Sequence, residues 1–459
     1  MGQILTSRRL RSASRRLRSA SCRLRSASCI AGLALPLALA ACNFAPATDK
    51  QTTGKTTDTV AVGPQANTAD AGLLSHDPAG GAPLDPAAAD DMPRPLMQAQ
   101  VALDRLGFTP GVVDGKTGLS TKNAIMGFQE ASQLPTTGEL DTATKAGLAQ
   151  YANIPATRVV TIPAEFAAGP FYKLPADPQE KAKLTTLGYE SLDEKLAERF
   201  HTTIATLKEL NPGGMPAGMK MDASASAAPG ASGAVAASPS AAASASASAS
   251  ASATASLGAS ASPSPSGSAG AVAMVPGPVS FFHGGQQIRV PNVGGDVIDN
   301  AAAGDASWRA TLAMLGVGTT QPSASKIVVS KSKGTLKAYD GAGKLVAMFT
   351  ATMGSVHDPL PLGDWKILGV GKNPPFNYNP ALFWDAKADA KKAHLPPGPN
   401  GPVGVVWIDL SKEHYGIHGT PNPETIGRAE SHGCVRLTNW DVARLAQMVS
   451  TKTAVTFEA

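Results

Sequence analysis

Between Asp222 and Gly270 the chain runs DASASAAPGASGAVAASPSAAASASASASASATASLGASASPSPSGSAG. A tract of Ala, Ser, Pro and Gly buries too little apolar surface to offset the entropy of ordering its backbone. It reads as a disordered insert, placed at residues 221–280, and whatever folds on either side has to accommodate it. The 459 residues leave room for about three domains of the usual 100–200 residues. Aromatic residues make up only 5% of the chain, so much of it is expected outside a packed core.

The first residues are of another kind. A seven-residue unit recurs as RRLRSAS, RRLRSAS and CRLRSAS over 8–28, and residues 1–41 hold eight arginines and no acid. The apolar run CIAGLALPLALAA that follows is shorter than the ~20 residues a spanning helix needs and fits the apolar region of an export signal. It ends in LAAC, Leu39 to Cys42, which resembles the lipobox of bacterial lipoproteins. The resemblance implies cleavage before Cys42 and lipidation of its thiol; ordinary cleavage near Ala41 and an uncleaved anchor are the other readings. Residues 1–41 are therefore read as a lipoprotein signal peptide and 42–91, rich in Thr, Ala, Asp, Gly and Pro, as a flexible tether. The expected location is the periplasm, anchored by lipid to the outer membrane. Removing eight of the 40 basic residues leaves 32 against 35 acids. The basic balance thus belongs to the leader, and no nucleic-acid partner is expected.

Residues 92–150 show helical patterning. Leu96, Ala99, Leu103 and Leu106 form one stripe, Ala124, Ile125 and Phe128 a second, and TTGELDTATKAGLAQY supplies a third helix. Caps are expected at Ser120 or Thr121 and at Asp141. In order, Leu106-Gly107-Phe108, Pro110-Gly111, Asp114-Gly115, Gly118, Thr121, Ala124-Ile125, Phe128-Gln129, Thr137-Gly138 and Leu140-Asp141 resemble the peptidoglycan-binding type 1 domain. That resemblance implies a small all-α three-helix module that binds glycan strands; a purely structural spacer is the other reading.

Residues 151–293 are harder to read. Leu192, Leu196, Phe200, Ile204 and Leu207 keep helical spacing, with a break at Thr202 or Thr203. The segment resembles a degenerate LysM module, which implies an α+β unit of strand, two helices and strand. Its closing strand would be GGQQIRVPNV, Gly284 to Val293, beyond the insert. Loop closure costs only the logarithm of length, so such an insert is tolerable; a linker with no closure is the alternative. Residues 294–325 are read as a linker.

From 326 to 459 the pattern is β-rich. KIVVS, GTLKAYD, KLVAMFTATMG, GVVWIDL and AVTFE read as strands, and WDVARLAQMVS as a helix. Of the four cysteines, Cys22, Cys29, Cys42 and Cys434, only Cys434 is a free thiol once the leader is cleaved and Cys42 is lipidated. A lone thiol in an oxidising compartment is buried or used. It stands in ESHGCVRL, downstream of YGIHGT. An imidazole can take the thiol proton or stabilise a thiolate, and backbone N–H groups beside the nucleophile can hold an oxyanion. These are the parts of acyl transfer through a thioester.

PLGDW (Pro361 to Trp365), YGIHGT, Ile426-Gly427, SHGCVRL, Asn439 and Asp441 resemble the L,D-transpeptidase catalytic domain, also called the YkuD type. The resemblance implies Cys434 as nucleophile and His418 as its base. The Gly419 carbonyl would orient the far ring nitrogen, and the N–H groups of Gly433 and Cys434 would form the oxyanion hole. His432, Arg436, Ser431 and Tyr415 would line the substrate site, Ser431 also holding the loop. SVHDPLPLG departs from the family's usual loop, which leaves Leu360 open as a contact. The implied reaction is attack on the third residue, diaminopimelate, of a peptidoglycan tetrapeptide. D-Ala leaves, and the acyl group passes to an amine of a second stem or of a wall-attached protein. Carbapenems would acylate Cys434. No cofactor and no metal are implied.

Three other readings remain at this point. His418, His432 and Cys434 are three candidate zinc ligands, one short of a structural site. Water in place of the amine would make a hydrolase. An inert domain would leave a wall-binding lipoprotein. His357, His394 and His414 are read as surface or loop residues.

Overall fold

The computed structural model describes residue 90 and residues 92–218, 274–294 and 298–459. The export signal, Cys42, most of the tether and the insert up to residue 273 lie outside the described residues. Among the described residues no helix is long and apolar enough to cross a membrane.

Helix α1 (Pro95–Arg105) opens on a proline, whose missing N–H is harmless in a first turn. A short strand β1 (Phe108–Thr109) follows, then α2 (Leu119–Ala131) and α3 (Thr142–Leu148). Asp141 caps α3 by accepting from Thr144 N at 2.8 Å, as the sequence suggested. The cap expected at Ser120 or Thr121 does not form. Gly118 is the N-cap, and buried Thr121 instead donates to Lys116 O and accepts from Gln100 Nε2. The buried face of α1 is displaced from the expected stripe: Met97, Val101 and Ala102 are buried while Leu96 and Ala99 are half-exposed. The reason is that α1 serves two neighbours. Leu103, Leu106 and Phe128 share a core with Leu345 and Met348, whereas Met97, Val101 and Val113 pack on Leu210 and Val293.

Next come β2 (Thr157–Thr161), α4 (Leu192–Arg199), α5 (Ile204–Leu210) and β3 (Gln287–Pro291). The helices part where the two threonines stand, and Thr203 caps α5 through Thr206 N. β3 pairs antiparallel with β2, Val159 opposite Arg289. The unit therefore closes on the strand foreseen at Gly284–Val293, around a core of Ile162, Leu196, Phe200, Leu207, Ile288 and Val290.

The span 294–325 corrects the sequence reading, for it is not only a linker. Helix α6 (Ala306–Leu315), capped by Asp305 and stopped by Gly316 at φ +64°, runs through it. Trp308, Leu312 and Leu315 enter the core of the C-terminal domain. Their helical spacing between an Asp start and a Gly stop was a legible signal.

That domain contributes β4 (Lys326–Ser330), β5 (Thr335–Tyr339), β6 (Leu345–Thr350), β7 (Thr352–Met353), β8 (Gly363–Lys372), β9 (Phe376–Tyr378), β10 (Ala393–Leu395), β11 (Val406–Leu410), β12 (Gly416–His418), β13 (Val435–Arg436), α7 (Asn439–Met448) and β14 (Ala454–Glu458). The sheet order is β1-β6-β5-β4-β14-β8-β11-β12-β13-β7, and β9 and β10 form a separate hairpin. The edge strand β1 comes from the helical module and runs parallel to β6, Phe108 opposite Met348. The modules are thus joined through one sheet and shared apolar cores.

A buried ionic cluster joins all three. Asp104 of α1 accepts from Arg444 Nη1 at 3.0 Å and Nη2 at 2.8 Å. His201, just after α4, donates to Asp104 Oδ2 at 3.2 Å and to Leu315 O at 2.8 Å. The His201 ring stacks on Trp440 with centroids 4.9 Å apart. Removing one partner strands the rest in a dry site. Asp104→Ala is expected to lower stability by about 3–5 kcal/mol, read from denaturant unfolding. Lys116→Ala, which breaks an exposed pair with Glu209, is expected to cost less than about 1 kcal/mol.

Candidate active site

Strands β12 and β13 run parallel, Ile417 opposite Val435 and His418 opposite Arg436. This register brings Cys434, at the entrance to β13, beside the start of β12. The Gly416 N–H hydrogen-bonds the Cys434 sulfur, and Sγ lies 3.7 Å from His414 O. Cys434 is half-buried. Burial pushes its thiol pKa up, with a smaller push from the Asp358 carboxylate; Gly416 N–H and the Arg436 charge pull it down without prevailing.

His418 ends β12 and is buried. Its Nδ1 donates to Gly419 O at 2.7 Å. A carbonyl only accepts, so Nδ1 carries the proton and Nε2 keeps its lone pair. Trp407 stacks on the ring at 5.5 Å. Burial, aided by the Arg436 charge, pushes the His418 pKa down to about 4 against the opposing pull of Gly419 O. Both shifts favour the neutral form of each group, a thiol at Cys434 and an imidazole at His418. A neutral thiol and a neutral imidazole brought together on a substrate can react by general-base catalysis, the proton leaving sulfur as the bond to carbon forms.

Two glycines are sterically required. A Cβ on Gly419 would lie 2.1 Å from Asn439 Oδ1, and Gly433, at φ +93°, would place one 2.5 Å from the Tyr415 ring. Tyr415 therefore packs under the loop that carries Cys434. Ser431, grouped by the sequence reading with the substrate contacts, is buried. It donates to Cys434 O at 2.6 Å and accepts from Gly354 N at 2.6 Å. With its proton given to Cys434 O and a lone pair to Gly354 N, the hydroxyl ties the loop to Gly354. Leu360 is likewise a core residue.

His432 and Arg436 meet residues that the sequence did not flag. His432 Nε2 lies 2.9 Å from Asp385 Oδ1, with the Phe383 ring edge-on at 5.0 Å. Trp384 stacks on His357 at 4.3 Å. Arg436 Nη1 donates to Glu430 O at 3.4 Å, and its charge faces Cys434 and Asp385. Phe383, Trp384 and Asp385 belong to the β9–β10 hairpin loop, remote in sequence from His432 and without periodicity to mark them. His357 is drawn into this cluster. His394 bonds Asn377 within the hairpin at 2.7 Å, and His414 contributes its carbonyl. The zinc reading finds no support in this geometry. Among the described residues no group of three His, Cys, Asp or Glu side chains could hold a metal ion, and His432 Nε2 is engaged by Asp385.

Residues 324–456 match the family model described as "L,D-transpeptidase catalytic domain", and residues 95–148 match the one described as "Putative peptidoglycan binding domain". The chain joins an L,D-transpeptidase catalytic domain to a peptidoglycan-binding domain. A Bacillus licheniformis protein named "Putative L,D-transpeptidase YkuD" is 35% identical over 130 residues, 28% of this chain and 63% of that protein. Its Bacillus subtilis namesake is 57% identical over 58 residues, 13% of this chain and 35% of that protein. The chain thus spans less than two thirds of either relative. The crystal structure of L,D-transpeptidase 3 from Mycobacterium tuberculosis in complex with a faropenem-derived adduct is 17% identical. It covers 29% of this chain and 60% of that one at a TM-score of 0.25, a likeness too slight to argue from.

The neutral pair makes a prediction. Iodoacetamide is expected to alkylate Cys434 at neutral pH more slowly than it does free cysteine, the rate climbing only at a pH above the ordinary thiol pKa of about 8.5. His418→Ala is expected to keep that pH dependence. A fast plateau between about pH 5 and 7, lost in His418→Ala, would reveal a thiolate–imidazolium pair instead.

Proposed function

We propose that this protein is a periplasmic peptidoglycan L,D-transpeptidase with Cys434 as nucleophile and His418 as base. The observation that carries the reading is the 2.7 Å bond from His418 Nδ1 to Gly419 O, which leaves Nε2 as the proton acceptor one strand away from the thiol. Sγ attacks the carbonyl of the third residue of a tetrapeptide stem, and its proton passes to His418 Nε2. The N–H groups of Gly433 and Cys434 hold the oxyanion. The intermediate collapses to a thioester as the proton passes on to the departing amine of D-Ala. An acceptor amine then gives a proton to Nε2 and attacks the thioester. A new amide forms, and the thiol is restored by the same proton. The product is a crosslink between two third residues, or the attachment of a wall-linked protein.

The peptidoglycan-binding domain supports glycan strands as the larger substrate, since its own strand β1 belongs to the catalytic sheet. The lipobox-like LAAC supports a lipid anchor at Cys42, with the tether setting the reach from the outer membrane. Acylation of Cys434 by carbapenems belongs to the same reading.

Purified protein incubated with tetrapeptide-rich sacculi is expected to yield dimers carrying an amide between two third-position residues, seen by muropeptide mass analysis. Cys434→Ala is expected to yield none. Loss of existing dimers would instead make the protein a hydrolase. A wild-type profile identical to that of Cys434→Ala would leave a wall-binding lipoprotein with an inert domain.

A further inference from the structure

We infer that Glu198, which lies in the strand–helix–helix–strand module outside the catalytic domain, is a positioning residue for His418 and acts through Asn439 and Gly419. The inference rests on the reading of His418 as the base.

The path is short. Asn439 Nδ2 donates to Glu198 Oε1 at 2.7 Å and to Pro399 O at 3.1 Å, while its Oδ1 accepts from Val405 N at 3.2 Å. Acceptors at one end and a donor at the other fix which way the amide points. Its oxygen end rests against two backbones: a Cβ on Gly404 would lie 1.9 Å from Oδ1 and one on Gly419 2.1 Å from it. Gly419 N in turn donates to Val403 O at 3.0 Å. The Asn439 amide is therefore a wedge between the 403–405 turn and Gly419, whose carbonyl selects the His418 tautomer. If the acceptor at Glu198 is lost, one of the two bonds that hold the nitrogen end is lost with it. The wedge can then turn, and the Gly419 carbonyl is no longer held on Nδ1.

The chemistry of Glu198 argues for a specific task. It is buried at a seam between modules, where apolar contact would serve adhesion at less cost. Its second oxygen accepts from the Tyr189 hydroxyl. Burial pushes its pKa up to about 7, Tyr189 and Asn439 restrain the rise, and the Glu194 charge adds to it. The same seam has bonds that do not lead to the site. Asn400 Nδ2 donates to Glu194 Oε1 at 2.8 Å and to Gly188 O at 3.1 Å, and Leu187 N donates to Pro397 O at 2.9 Å. These bonds allow docking of the module to be tested apart from positioning.

The test uses the full chain, with thermal unfolding recorded for each variant. Two readouts serve: kcat and KM for dimer formation, and the downfield NMR resonance of the His418 Nδ1 proton, which needs no substrate. Glu198→Ala is expected to lower kcat about ten- to a hundredfold with KM little changed, and to abolish the resonance. Glu198→Gln, which still offers Asn439 an acceptor, is expected to restore both, and Asn400→Ala to leave both as in the wild type. If Glu198→Ala does not fold, Glu198→Asp withdraws the acceptor by one methylene and is expected to broaden the resonance. An unchanged resonance in whichever of these two variants folds overturns the inference. So does an equal loss in Asn400→Ala, or a failure of Glu198→Gln to rescue. Should the wild type form no dimers, the resonance alone decides, so a failure of the proposed reaction is kept apart from a failure of the positioning role.

Discussion

The chemistry at this site depends on one hydrogen bond, from His418 Nδ1 to the Gly419 carbonyl. Its net energy is modest, about 1 kcal/mol for a typical bond of this kind. Its importance lies in the tautomer it selects. With the proton held on Nδ1, Nε2 keeps the lone pair that can accept a proton, and burial pushes the ring's pKa down to about 4, which favours the neutral form at neutral pH. The parallel pairing of β12 and β13 sets Arg436 opposite His418 and so places Cys434 two residues before that point on the neighbouring strand. Gly433 lets the loop that carries Cys434 pass over Tyr415, and Ser431 ties that loop to Gly354. The support for this bond comes from outside the two motifs, chiefly from Asn439 against the Cα of Gly419.

The modules are integrated more closely than a chain of separate domains. The peptidoglycan-binding domain lends β1 to the edge of the catalytic sheet and shares Leu345 and Met348 with it. Asp104, His201 and Arg444, one from each module, meet in a buried cluster. Ions in such a setting demand satisfied geometry on every side, so the cluster specifies a single docking of the three modules. A rigid docking would hold the three modules at constant angles. It would also let Glu198, in the second module, bear on the backbone next to His418.

Local signals carried much of this into the sequence. The caps at Asp141 and Thr203, the strand at Gln287–Pro291, and the pairing of His418 with the Gly419 carbonyl could be read from spacing, turn chemistry and family motifs. What escaped depends on contacts between distant segments. The shifted face of α1 reflects two neighbours that no helical period reveals. Helix α6 carried its own start and stop signals, but its short span between a module and a domain made it read as a connection. Asp385 and Trp384 sit in a hairpin loop, and only the fold returns them to His432 and His357. That Ser431 holds the loop is legible from the motif; its partner, Gly354 just beyond strand β7, is supplied only by the fold.

The central claim is that Cys434 sulfur carries the acyl group between donor and acceptor. Intact-protein mass spectrometry of the enzyme quenched during reaction with a purified tetrapeptide stem, followed by peptide mapping, tests it most directly. The account predicts an adduct equal to the stem less its terminal D-Ala, mapped to Cys434 and discharged by hydroxylamine. Release of D-Ala with no adduct at that residue, or an adduct that maps elsewhere, would contradict it.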